Sequence, residues 1–132
     1  MKIIADTNVL VRVIVQDDPE QSRTALRMLE QAETIAVSLH ALCELTWVLR
    51  GSYGVSRADI AAAIRQLVAT RNFEANHLGV EAGLTMLDAG GDFADGVIAY
   101  EGSWLGGDIF VSFDRKVIAL IAKQGKQTRL LA

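Results

Sequence analysis

The chain has 132 residues, 51% of them hydrophobic and 22% charged, with one proline and 11 glycines; this excludes disordered, collagen-like and proline-rich classes and suits one compact domain over residues 1–132. Thirteen Lys and Arg against sixteen Asp and Glu leave a formal net charge of −3, so no overall basic field holds nucleic acid and any such contact must be local. The mean hydropathy of +0.26 is high, yet Asp6, Arg12, Glu44 and Arg50 break the apolar runs before the ~20 residues of a membrane span.

Ile3-Ile4-Ala5 is a short apolar run that stops at Asp6-Thr7-Asn8, residues that favour turns and helix caps, and it reads as a first buried strand. Val9 to Val15 is apolar apart from Arg12. Asp17-Asp18-Pro19-Glu20 then supplies a cap and a first-turn proline, which predicts a helix from about Pro19 to Ala32 with Ala25, Leu26, Met28, Leu29 and Ala32 on its buried face. Ile35-Ala36-Val37 is a second strand, after which Ser38 caps a helix from Leu39 to about Arg50 that Gly51 stops. Ser56, followed by Asp59, opens a helix through about Ala69, and Phe73-Glu74-Ala75 is a further short strand. Val80 to Ala89 is helical by composition until Gly90-Gly91. Asp92 starts a helix to about Leu105, ended by Gly106-Gly107, and Ile109 to Ser112 is the clearest strand of the chain. Arg115 to Lys123 is a last helix and Arg129-Leu130-Leu131 a final strand. Strands joined through helices pair in parallel, because the connection must return across the sheet. The class is therefore α/β, with no repeat or linker to divide it.

Asp6 and Asp114 each follow an apolar strand directly, and functional groups of open parallel sheets gather at the carboxyl ends of strands. Capping the next helix is the plainer alternative for each. Glu44 lies among Ala41, Leu42, Cys43, Leu45, Trp47 and Val48, where burying a carboxylate is costly unless a cation or donor meets it. The alternative is an exposed stripe shared with His40, one turn earlier. An N-cap accounts fully for Asp92, whereas Asp95 precedes the apolar Gly96-Val97-Ile98-Ala99 and so opens a helix whose start is packed inside. Asp6, Glu44, Asp95 and Asp114, with no Cys and His set spaced for zinc, describe an oxygen-only site for Mg²⁺ or Mn²⁺. Clustered carboxylates repel unless a divalent cation neutralises them or one keeps a proton. The single Cys43 forms no intrachain disulfide and reads as buried packing. Together with Asp6, which interrupts any secretory signal, it points to the cytoplasm.

Ala5-Asp6-Thr7-Asn8-Val9-Leu10, Glu44, Asp92-Phe93-Ala94-Asp95-Gly96-Val97-Ile98-Ala99 and Phe113-Asp114 together resemble the PIN domain. More narrowly they resemble VapC-type toxins of type II toxin–antitoxin pairs, in motif order and over the whole chain. The resemblance implies a single PIN-like domain with a central, mostly parallel twisted sheet of four to five strands flanked by helices. It implies a metal-dependent endoribonuclease that hydrolyses RNA phosphodiester bonds with metal-activated water. The ligands of Mg²⁺ or Mn²⁺ would be Asp6, Glu44, Asp95 and Asp114, with Asp92 a further candidate. Asn8 and Ser112 would orient the carboxylates, Ser112 standing where threonine is commoner.

The same resemblance implies a VapB-type antitoxin partner and a homodimer. Val9 to Val15, with Leu42, Leu45, Trp47 and Leu49, carries apolar bulk that suits either an interface or the core. Arg12, Arg115 and Lys116 follow the strand-end acids closely and suit phosphate contact or plain solvation; His40 and His77 read as structural or surface residues. Two rival readings remain. A catalytically silent PIN-like binding module would be signalled by loss of an acid, and all four are present. A haloacid dehalogenase-like phosphatase would place an aspartate where Asn8 stands.

Overall fold

Asp6, Asp18, Ser38 and Ser56 each accept a backbone N–H at a helix start in the computed structural model, which describes residues 1–132. These are the caps that the local sequence predicts, and they set the phase of the helices that follow. The chain forms two compact units, Met1–Asn76 and His77–Ala132.

The first unit runs β1 (Lys2–Ile4), α1 (Thr7–Ile14), α2 (Pro19–Gln31), β2 (Thr34–Ala36), α3 (Leu39–Gly51), α4 (Arg57–Val68) and β3 (Phe73–Glu74). Its three strands pair in parallel in the order β1-β2-β3, with Ile3 opposite Ile35 and Ile35 opposite Phe73. Ile35 and Phe73 are buried, and the helices close over them with Leu10 from α1, Leu42, Leu45 and Leu49 from α3, and Ile60 and Ile64 from α4. The spacing of the three α3 leucines places them on one stripe, which this core consumes. Leu10, Val11, Leu42, Leu45 and Leu49 are therefore core, whereas Val9, Val13, Ile14 and Val15 are half-buried and Trp47 is 54% exposed. Cys43 is buried as expected.

One expectation fails here. The first strand is not buried: Ile4 is 88% exposed. β1 is one of the two edge strands of this sheet, and successive side chains point to opposite faces, so local hydrophobicity does not decide which of them is covered.

The second unit runs α5 (His77–Asp88), α6 (Phe93–Trp104), β4 (Ile109–Ser112), α7 (Arg115–Lys123) and β5 (Gln127–Leu130). β4 and β5 pair in parallel with Ile109 opposite Gln127, and α7 supplies the crossover between them. Met86, Ala99 and Ile121 form a buried cluster against which Phe110, Val117 and Leu120 pack. Gly90, at φ 92°, turns the chain after α5 in the left-handed conformation that glycine adopts without strain. Helices α5 and α6 approach closely at Gly96, where an added Cβ would lie 2.2 Å from the carbonyl oxygen of Ala82.

The protein is thus mixed α/β with seven helices and five strands. Every strand pairing is parallel, as expected. The strands are hydrogen-bonded as a sheet of three and a sheet of two rather than as one ladder. The last strand begins at Gln127, two residues before the expected Arg129. No helix is long and apolar enough to cross a membrane.

Candidate active site

In the first unit, Asp6 follows β1 and its Oδ1 accepts the Thr7 N–H at 2.7 Å. Thr7 itself is buried, and its hydroxyl lies 3.4 Å from Glu44 Oε1 and 3.5 Å from the Ala41 carbonyl oxygen. A hydroxyl has one proton, so it serves one acceptor at a time. Thr7 therefore links Asp6 to Glu44 across α1 and α3. Glu44 is not carried into the apolar interior; its side chain is 45% exposed, and His40 Nε2 stands 3.1 Å from its Oε1. The His40–Glu44 stripe is real, and Glu44 still faces a cleft. That cleft, of about 420 Å³, is lined by Asp6, Asn8, Arg12, Glu44, Ser52 and Tyr53 among others. Arg12 Nη1 pairs with Asp17 Oδ1, and Tyr53 Oη donates to Asp17 Oδ2 at 3.2 Å.

In the second unit, Asp114 caps α7, its Oδ1 accepting from the N–H groups of Lys116 at 2.9 Å and Val117 at 3.2 Å. Ser112 Oγ accepts the Asp114 N–H at 3.0 Å, which fixes the backbone that carries the acid. At both Asp6 and Asp114 the cap uses Oδ1, so capping and a further role for the second oxygen are compatible. Asp92 corrects the sequence reading. It occupies the N-cap position of α6 but makes no side-chain cap hydrogen bond. The Asp95 N–H donates instead to the Asp92 carbonyl oxygen, at 3.1 Å. Capping does not account for the Asp92 carboxylate.

Asp95 is only partly exposed, with Ala94, Gly96 and Val97 buried around it, as its apolar context implies. Burial foremost, then the charges of Asp92 and Asp114, push its carboxyl above the usual range. A carboxyl raised in the folded state is destabilising once ionised. Its cost is absent below the ordinary aspartate range and appears as pH rises through the raised value. Asp95→Asn removes that cost. In metal-free buffer its Tm is expected to exceed that of the parent at neutral pH and to converge with it in acid, which calorimetry across pH checks.

Within neither unit do three or more His, Cys, Asp or Glu side chains stand close enough together to hold an ion. The chemistry of the donors nonetheless suits a hard divalent cation. All are oxygens, and the like charges acting on Asp95 are of the kind a cation relieves. Asn8 lines the cleft beside Asp6, while the hydrogen bond to Glu44 comes from Thr7. Sequence reasoning missed Thr7, Asp17 and Tyr53; only Thr7 left a signal, its place between Asp6 and Asn8 at a helix start. Arg115, Lys116, His40 and His77 are exposed.

A family model described as the PIN domain matches residues 3–123, across both units. No curated protein matches the chain.

Proposed function

Because the chain belongs to the PIN domain family, whose members are typically nucleases that use divalent metals and bind RNA or DNA, we propose that it is a metal-dependent endoribonuclease hydrolysing RNA phosphodiester bonds. We propose further that residues 1–132 work as one catalytic domain in the cytoplasm. Its role there is that of the toxin of a VapBC-type pair, a homodimer held in check by a VapB-type antitoxin. The toxin role, antitoxin and dimer rest on the sequence resemblance, and light scattering of the purified chain tests the dimer.

The observation that carries the metal-dependent reading is the environment of Asp95, half buried and pressed by two further carboxylates, Asp92 and Asp114. A protein keeps such repulsion at little cost where a cation belongs. Asp6, Glu44, Asp95 and Asp114 would hold Mg²⁺ or Mn²⁺, with Asp92 available because no helix N–H engages it. When bound, the ion supplies positive charge for the developing phosphoryl oxyanion and acidity for the attacking water. The chain's own part is to hold the carboxylates: Thr7 fixes Asp6 and Glu44, and Ser112 with the α7 N–H groups fixes Asp114.

The test is cleavage of a panel of structured RNAs by the purified chain in Mg²⁺, Mn²⁺ or EDTA. Cutting is expected with either metal, none in EDTA, and recovery on adding metal back. Folded protein that neither binds the ion nor cuts any RNA would make the chain a silent binding module.

A further inference from the structure

The cleft that holds Asp6 and Glu44 contains one cation, Arg12, and one aromatic ring, Tyr53. From these we infer a ribonucleotide subsite: Arg12 contacts a phosphate oxygen of the RNA, and the ring of Tyr53 stacks on the base of an unpaired nucleotide. The inference rests on the ribonuclease reading and names two residues of this chain that would hold the RNA beside the acids.

Three features carry it. The first is position. Arg12 lies one turn after Asn8 on α1 and shares the cleft with both acids. Without it, a polyanion approaching Asp6 and Glu44 would meet like charge alone. The second is the way the two side chains are held. Asp17, in the segment between α1 and α2, accepts from Arg12 Nη1 with one oxygen and from Tyr53 Oη with the other. An exposed ion pair of this kind adds little stability, but it fixes a long guanidinium and a ring in one arrangement. Guanidinium has five donors in a planar fork, so the end turned to Asp17 leaves others for phosphate. The third is size. A cleft of about 420 Å³ has room for a single nucleotide. Aromatic stacking needs a base already out of its helix.

The experiment is binding of a short fluorescein-labelled single-stranded RNA, and of its duplex, by fluorescence anisotropy over a range of salt. It is done in an Asp95→Asn background so that the probe stays intact, beside steady-state cleavage by the otherwise unaltered chain. Arg12→Ala is expected to weaken single-strand binding about tenfold and to flatten the slope of log K against log salt by about 0.7. Tyr53→Ala is expected to weaken it about tenfold with the slope unchanged, whereas Tyr53→Phe keeps the ring and most of the affinity. In cleavage, Arg12→Ala and Tyr53→Ala raise KM and leave kcat within about threefold. Should Arg12→Ala fail to fold by circular dichroism, Arg12→Gln is read in its place.

Cutting by the unaltered chain with affinity, slope and KM unmoved in the Arg12 and Tyr53 variants would overturn the subsite alone. Equal affinity for single strand and duplex would overturn the stacking role. If the unaltered chain neither binds nor cuts RNA, the ribonuclease reading falls and the subsite with it.

Discussion

Replacing Asp6, Asp95 or Asp114 by asparagine, or Glu44 by glutamine, is expected to lower metal-dependent RNA cleavage by about 10²–10³-fold or more in each case, with the fold intact. The amides are chosen because they keep the hydrogen bonds that the structure assigns to these side chains. Asparagine at position 6 still accepts the Thr7 N–H, and at position 114 still accepts from Lys116 and Val117. Asparagine and aspartate are near-equal helix caps. Glutamine at position 44 still presents an oxygen to the Thr7 hydroxyl. What each variant loses is the negative charge, which in the proposed site would hold a divalent cation. Alanine would confuse the result at positions 6 and 114, since loss of a cap alone costs ~1 kcal/mol. Single-turnover cleavage, with Mn²⁺ affinity by calorimetry, checks the expectation. A variant that cuts at the parental rate removes its residue from the ligand set.

What the sequence disclosed follows the range over which each feature is determined. Helix starts at Asp18, Ser38 and Ser56 were legible because a cap and its N–H lie three residues apart. Asp6 and Asp114 were legible for a similar reason, each following a strand at the start of a helix. The tie between Thr7 and Glu44 spans 37 residues and that between Asp17 and Tyr53 spans 36, so no local pattern announces either. Asp92 shows the limit of a local rule. Residue type and place both argue for a cap, yet the Asp92 side chain accepts no helix N–H. Ile4 shows another limit, because an apolar strand does not declare which of its faces is covered or which strands lie beside it. The division of five parallel strands into three and two was hidden for the same reason.

Gly96→Ala is expected to cost about 3 kcal/mol and to lower Tm by roughly 10 °C, a large effect for one methyl group. The new Cβ would lie 2.2 Å from the carbonyl oxygen of Ala82, 2.7 Å from its carbon and 3.0 Å from the Cα of Gly83. All three are backbone atoms, so no side chain swings aside and helices α5 and α6 must part. Parting them loosens the buried face that Phe93 and Val97 contribute to this unit, and close-packed interiors give back little of such a loss. Asp95 is the preceding residue, so the same shift displaces a candidate ligand. Cleavage measured well below the lowered Tm is therefore expected to fall as well, because small misplacements at a reacting centre cost up to about 10²-fold. Gly102→Ala on the same helix is the control. Its Cβ would meet nothing within 4 Å, and alanine is favoured over glycine in a helix by about 0.5–1 kcal/mol. Opposite shifts in Tm from the same chemical change, read by thermal denaturation, would isolate the α5–α6 contact from helix propensity. A Gly96→Ala variant as stable as the Gly102→Ala variant would mean that the two helices do not meet at this glycine.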